Sequence, residues 1–251
     1  MILIFVIIWV RGRHPLHEER RTMGTVGTVT SVEFITSTLK RITWTCATAH
    51  AWRPGDKIKV HVADGVMRSY TPSRVDAAAG EMELVAHVHG QGAGSAWAEA
   101  LAPGDTFAFK GPVKSFPIDL EEPTPWAVFL GDETTLGLAA AFRESAVARR
   151  VLGAVELEPG AVGVAEVMNL GLNELRRGDV RGDALVAYAE QLEWPQGEGV
   201  FWISGEADSV VAVREVLLAR GVSRRRMRIK SYWSARGKAR RKQLDLQMAL
   251  T

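Results

Sequence analysis

Arg68-Ser69-Tyr70-Thr71-Pro72 is the run whose residue types come closest to assembling a ligand site. On an extended chain residues two apart share a face, so Arg68 and Tyr70 project together. Arg68 offers a fixed planar cation suited to phosphate. Tyr70 offers a flat surface on which an aromatic ring can stack. Thr71 turns the other way with a hydroxyl and a backbone N–H, while Pro72 keeps it extended and removes the next donor. A phosphate clamp beside an aromatic platform and a terminal donor is what a flavin needs. An ordinary edge strand with an exposed arginine and a half-buried tyrosine would give the same letters, so this run does not decide alone.

Four further runs carry chemistry. In His89-Gly90-Gln91-Gly92-Ala93-Gly94-Ser95-Ala96-Trp97, three glycines let backbone approach a ligand closely. Ser95 is placed to open a helix over Ala96–Leu101, whose first N–H groups would face a pyrophosphate. His87 and His89 alternate on one strand face, but no third metal ligand accompanies them. Gly131-Asp132-Glu133-Thr134 and Ser204-Gly205-Glu206-Ala207 each join an apolar strand to a helix, the kind of junction at which parallel sheets hold nucleotides. The acids there would repel a phosphate and suit a sugar or an oxidised nicotinamide better, and Asp132 or Thr134 equally suits a helix N-cap. Finally, Ser231-Tyr232-Trp233 precedes Arg236, Lys238, Arg240, Arg241 and Lys242. Aromatics beside cations bind nucleic acid or another large anion, or form a solvated basic helix.

These runs sit on two kinds of pattern. Up to about Lys110 the apolar segments are short and alternating, predicting strands Gly27–Thr36, Leu39–Thr45, Lys57–Val62, Met82–His89 and Thr106–Lys110. Turn groups such as Arg53-Pro54-Gly55-Asp56 and Ala102-Pro103-Gly104-Asp105 separate them, as in an antiparallel barrel or sandwich. A bridge containing Pro112, Pro117, Pro123 and Pro125 follows. Beyond it strands Trp126–Leu130, Val151–Leu157, Val200–Ile203 and Met227–Trp233 alternate with helices Thr134–Arg150, Asp183–Leu192 and Val210–Arg220, the last stopped by Gly221. That alternation argues for a parallel sheet with crossover helices. The reading is thus two-domain, an antiparallel β-barrel over 24–122 and an α/β domain over 123–251 that ends in a basic segment.

Composition limits the alternatives. The 251 residues are 24% charged and 47% hydrophobic, as in a globular protein, which excludes collagen-like, coiled-coil and wholly disordered chains. One cysteine, Cys46, allows no internal disulfide and no cysteine-based cluster. The net charge of +2 hides an imbalance: residues 214–242 hold twelve Lys/Arg and one acid, whereas the rest of the chain has nineteen bases and twenty-eight acids. Residues 1–23 open with ten apolar residues, too few for the ~20 of a spanning helix. The basic residues follow that run, the reverse of a signal peptide. The segment is read as lying outside the fold, with translation starting at Met23; a membrane anchor and a strand or partner contact are the alternatives.

Taken in order, these motifs resemble the siderophore-interacting protein family, a branch of the ferredoxin-reductase-like flavoproteins. The match runs from about Val26 to Lys238. It rests on Arg68-Ser69-Tyr70-Thr71-Pro72, His89-Gly90 through Gly94-Ser95-Ala96-Trp97-Ala98, Gly131-Asp132-Glu133-Thr134, Trp202-x-Ser204-Gly205-Glu206-Ala207 and Tyr232-Trp233. The resemblance implies an amino-terminal FAD-binding barrel, a carboxy-terminal NADPH- or NADH-binding domain, and reduction of ferric siderophores in the cytoplasm. It implies that Arg68 holds the FAD phosphate, Tyr70 stacks on the ring and Thr71 approaches N5. Ser69, His87, His89, Gly94, Ser95 and Trp97 complete the implied FAD site, with Gly94 and Ser95 at the pyrophosphate. Asp132, Glu133, Thr134, Gly205 and Glu206 would line the nicotinamide cleft. Lys59, Arg236, Lys238 and Arg240 are the implied receivers of an anionic ferric chelate. The sequence departs from the family after Thr134, where members continue Ala-Leu-Pro-Ala and this chain has Thr135-Leu136-Gly137-Leu138.

Such a flavin explains the chemistry without a protein nucleophile or acid–base pair: it takes a hydride and releases electrons singly to iron. A basic mouth would raise the encounter rate of an anionic ferric siderophore. The expected protein is a monomer with no stable membrane insertion, no bound metal of its own and no nucleic-acid partner. The competing readings are a reductase of the same fold with another acceptor, a flavin-binding module without turnover, and a nucleic-acid-binding protein using Arg224–Lys242.

Overall fold

The computed structural model describes residues 24–47, 52–116, 118, 123–145 and 148–250; the leading segment 1–23 lies outside the described residues. The first half is a seven-stranded antiparallel sheet of β1 (Thr25–Phe34), β2 (Leu39–Thr45), β3 (Lys57–Ala63), β4 (Val66–Tyr70), β5 (Arg74–Asp76), β6 (Glu81–His87) and β7 (Thr106–Val113), in the order β4-β3-β7-β1-β2-β6-β5. Residues Ile58 and Val60 of β3 share a core with Met82, Leu84 and Ala86 of β6, although three strands separate them in the ladder. The sheet therefore curls into a half-barrel, with Trp44, Phe107 and Phe109 stacked edge to face inside it. Helix α1 (Gly92–Ala100) packs against both β3 and β6 and covers the open side.

The second half is parallel. Strands β8 (Thr124–Asp132), β9 (Ala148–Leu157), β10 (Asn173–Arg176), β11 (Gly199–Glu206) and β12 (Met227–Trp233) lie in the order β10-β9-β8-β11-β12. Its helices are α2 (Leu136–Glu144), the single turn α3 (Val164–Val167), α4 (Asp183–Gln191), α5 (Ala207–Ala219) and α6 (Lys238–Leu250). Alternation along β8 explains why both faces are apolar. Trp126, Val128 and Leu130 enter a core with α4 and α5, while Ala127 and Phe129 enter another with α2 and α3. The second core also takes in Leu39 of β2 and packs against Val85 of β6, so one apolar cluster joins the two halves.

Most predicted elements appear within a few residues of their expected ends, and two helices differ. The helix expected over Thr134–Arg150 stops at Glu144, because Ala148–Arg150 pair with β8 as the start of β9. The helix expected to begin after Ser95 starts at Gly92 and contains Ser95. Strands β5 and β10, of three and four residues, lacked the length for a periodic signal. Gly221 ends α5 as expected: at φ 83° its N–H bonds to the Leu218 carbonyl, and Val222 N–H bonds to the Leu217 carbonyl.

Candidate functional site

In the first half, β4 carries the cation and the ring. Arg68 and Tyr70 lie opposite Val60 and Ile58 of β3, so both side chains leave the sheet on the face that α1 covers. A Cβ on Gly94 would stand 3.2 Å from Arg68 Cγ and 3.1 Å from the Tyr70 hydroxyl. The missing side chain lets both residues pass closely over the first turn of α1. The Tyr70 hydroxyl reaches the Gly94 carbonyl at 3.4 Å, and its ring is backed by Trp97 at 5.4 Å, which rests edge-on against Phe107. Burial pushes the Tyr70 phenol up to about 12. The Arg68 guanidinium is exposed and donates to its neighbour's carbonyl, Met67 O, at 3.1 Å.

The loop before α1 is open. Gly90 and Gly92 have positive φ and nothing within 4 Å of the space a Cβ would occupy, and no side chain caps α1 at Gln91. Uncapped N–H groups, a cation and a backed aromatic ring thus converge, and the donor set fits a phosphate-bearing aromatic cofactor such as FAD. Ser95 plays a different part: it is buried, and its hydroxyl accepts the N–H groups of His89 at 2.9 Å and Gly90 at 3.0 Å, tying the loop to the helix. Ser69 sits between Arg68 and Tyr70, opposite Lys59.

In the second half, the strand order reverses between β8 and β11, and both junction motifs stand at the carboxyl ends of those two strands. Asp132, 2% exposed, ties them together. Its Oδ1 accepts Thr134 N at 2.9 Å and Oγ1 at 2.5 Å; its Oδ2 accepts Glu206 N at 2.8 Å and the Trp233 indole at 3.2 Å. Burial, reinforced by neighbouring Glu133, raises the Asp132 carboxyl to about 6. Gly205, at φ 136°, leaves room for the Asp132 carboxylate. Glu206 caps α5 by accepting Asp208 N at 2.7 Å and Ser209 N at 3.0 Å, and also accepts Ala235 N at 3.1 Å. Glu133 is buried, accepts Arg177 at 2.6 Å and Arg181 at 2.9 Å, and keeps its second oxygen, Oε2, without a partner.

The two halves meet at these same residues. The Thr71 hydroxyl lies 2.8 Å from the Tyr232 hydroxyl, itself buried and raised to about 12 by that burial. His87 Nε2 lies 2.7 Å from Glu158, which also takes Arg177 at 3.3 Å. His89 stacks near His87, with ring centroids 4.9 Å apart, and burial followed by the His87 charge lowers its pKa. No cluster of three or more metal-ligating side chains occurs among the described residues.

The cations sort into two groups. Arg236 and Arg240 are both engaged by Asp208, at 3.7 and 3.0 Å. Arg220 and Arg226 pack over Trp194 and Trp126 and donate to the carbonyls of Ala189 and Gly199. Lys238 opens α6, and its side chain lies outside the described set. The other group is Lys57, Lys59, Lys230 and Arg241. Burial and then the charges of Lys59 and Arg241 lower the Lys57 ammonium; burial and then Lys57 lower that of Lys230. Lys230 reaches the Ser115 carbonyl at 2.7 Å, and Arg241 holds the Tyr232 carbonyl at 2.6 Å. Lys230 and Arg241 thus flank Tyr232, and their charges act on Lys57, which is followed two residues on by Lys59 on β3. Of these, sequence reasoning singled out Lys59 as a receiver. The alternation of Lys57 with Lys59, and of Lys230 with Tyr232, was the available signal.

A half-barrel with a phosphate-and-ring cradle, set against a five-stranded parallel sheet whose switch point faces it, defines the ferredoxin-reductase-like class. The siderophore-interacting FAD-binding domain profile matches residues 50–116, and the siderophore-interacting protein profile matches residues 124–236. The chain belongs to the siderophore-interacting protein family. It is 29% identical over 173 residues to the ferric vibriobactin reductase ViuB of Vibrio cholerae, covering 66% of this chain and 63% of that protein, so the match spans less than two thirds of the relative's length. A siderophore utilization protein from T. fusca shares 25% identity at a TM-score of 0.68, covering 84% of this chain and 92% of the other. The siderophore-interacting protein SipS from Aeromonas hydrophila has the same fold, with a TM-score of 0.71, 22% identity, and coverage of 90% and 97%.

Proposed function

We propose that the protein is an FAD-dependent reductase that takes electrons from NADPH or NADH and passes them to a cytoplasmic ferric siderophore or other anionic ferric chelate. The observation that supports this reading is the Arg68–Tyr70–Gly94 cradle ending at Thr71, which meets Tyr232 of the parallel sheet, with Lys230 on the same strand as Tyr232 and Arg241 on the Tyr232 carbonyl. Arg68 and the first N–H groups of α1 would hold the FAD pyrophosphate, and Tyr70, backed by Trp97, would carry its ring. When bound, FAD supplies the conversion of a two-electron donor into single-electron steps that Fe(III) accepts.

The chain's own residues do the rest. Thr71 and Tyr232 fix the spacing of the halves at the flavin edge. Asp132, Glu133 and Glu206 place buried carboxylates at the switch point, and their negative charge suits a sugar and a cationic ring. The cation cluster draws in an anionic chelate. Arg236 and Arg240 share the single carboxylate of Asp208 and keep a net positive charge that adds to this attraction. Reduction weakens the hold of hard oxygen ligands on iron, so release follows without a separate acid–base step. Among the described residues no helix is long and apolar enough to cross a membrane.

The test is a triple substitution, Lys57→Ala, Lys230→Ala and Arg241→Ala. It should raise KM for an anionic ferric chelate on the order of 10-fold and leave flavin reduction by nicotinamide unchanged. An unaltered KM would remove the cluster from the substrate site.

A further inference from the structure

We infer that Gly137 is a positioning residue: its missing side chain lets Thr71 seat directly on the first turn of α2 and so sets the distance between the flavin edge and the nicotinamide cleft. Gly137 is the second residue of α2, and its φ lies outside the left-handed region, so its backbone conformation is open to any residue. Space is what demands glycine. A Cβ there would come closer to the Thr71 carbonyl oxygen than the 3.0 Å that real Cβ atoms keep, with the Thr71 carbonyl carbon at 3.3 Å and Ser73 N at 3.7 Å. The obstacle is backbone on both sides. Thr71 is followed by Pro72 and then by Ser73, whose N–H is fixed to the Glu83 carbonyl at 2.7 Å and whose hydroxyl is fixed to the Glu83 carboxylate at 2.7 Å. On the other side α2 is anchored by Leu136 and Leu138, both 1% exposed. Neither partner can swing away as a side chain would, so any larger residue moves one half of the protein relative to the other.

The consequence falls on the Thr71 hydroxyl, 2.8 Å from Tyr232 on β12. Gly137 holds Thr71 from the β8 side of the switch point while Tyr232 holds it from the β12 side. Thr71 is thus held between α2, which follows β8, and β12, which neighbours β11. This inference rests on the proposed flavin reductase reading, in which Thr71 borders the flavin.

The experiment compares Gly137→Ala with Gly160→Ala in the FAD-loaded protein. Gly160 lies at a second contact between the halves, where Ser37 donates to its carbonyl at 3.0 Å. There the atoms nearest an added Cβ are the side-chain ends of Ser37 and Thr38, which can rotate aside. A shift of about 1 Å at a reacting geometry costs on the order of 100-fold in rate. Gly137→Ala should therefore slow anaerobic flavin bleaching at saturating nicotinamide by on the order of 100-fold, with KM for nicotinamide and FAD affinity within about two-fold of wild type. Reoxidation of the photoreduced flavin by ferric chelate should be unchanged. Amide exchange at Ser73, which needs no flavin, should rise in Gly137→Ala. Gly160→Ala should match wild type in all five measurements. Wild-type bleaching in Gly137→Ala, equal slowing in both variants, or loss of the fold in Gly137→Ala alone would each overturn the positioning role. A wild-type protein that nicotinamide does not bleach would instead overturn the reductase reading, and would do so while Ser73 exchange still responded to Gly137→Ala.

Discussion

At the scale of single residues, the candidate site was legible as chemistry but not as geometry. Arg68, Tyr70 and Gly94 read as a phosphate-and-ring site because side-chain direction on a strand follows from spacing, and the structure brings all three together. Asp132, Glu133 and Glu206 read only as acids near a nucleotide; that Asp132 and Glu206 accept backbone and indole N–H groups, and Glu133 two guanidinium groups, depends on long-range contacts that no local spacing reveals. Asp132 carries a consequence of its own. Its folded carboxyl titrates at about 6, above the ordinary value of 3.8, so between those values the folded state holds a proton that the unfolded state has lost. The Asp132 contribution to stability is present below about pH 4 and falls as pH rises to about 6. Urea unfolding at pH 4.5 and 6.5 should show wild type losing stability relative to Asp132→Asn over that interval. A constant difference between the two proteins would mean that Asp132 does not titrate there.

At the scale of elements, the switch-point junction is held by a cap that also crosses to the next strand. Glu206 accepts two N–H groups at the start of α5 and the Ala235 N–H after β12, while only 4% exposed. Glu206→Ala leaves those donors unsatisfied and should cost about 2 kcal/mol, read as a lower urea midpoint with an unchanged slope. A midpoint equal to wild type would show that water replaces the carboxylate without loss. Long elements were legible because burial imposes a period: β2 and β12 match their expected ranges, and the five consecutive buried residues Trp126–Leu130 read as a two-sided strand. The end of α2 was not, since Ala148–Arg150 have no intrinsic reason to leave a helix until β8 offers them a ladder.

At the scale of the whole molecule, the basic segment acquires a meaning that its composition alone did not have. Arg220, Arg226, Arg236 and Arg240 are engaged by carbonyls, indole rings and Asp208 inside the nucleotide half. What remains facing the other half is Lys230 and Arg241, joined there by Lys57 and Lys59 from β3. Part of the positive charge is thereby set at the junction of the two sheets, which suits a compact anionic chelate better than the long track that a nucleic acid would require. The central claim is that electrons enter at the parallel sheet, cross the flavin held by β4 and α1, and leave at this junction. The most direct measurement is an anaerobic visible spectrum of the FAD-loaded protein, first with NADPH or NADH and then with a ferric siderophore. Bleaching by the nicotinamide followed by rapid return of the oxidised spectrum on adding the ferric siderophore is the predicted result. A flavin that bleaches but is reoxidised no faster by the ferric siderophore than by buffer would contradict it.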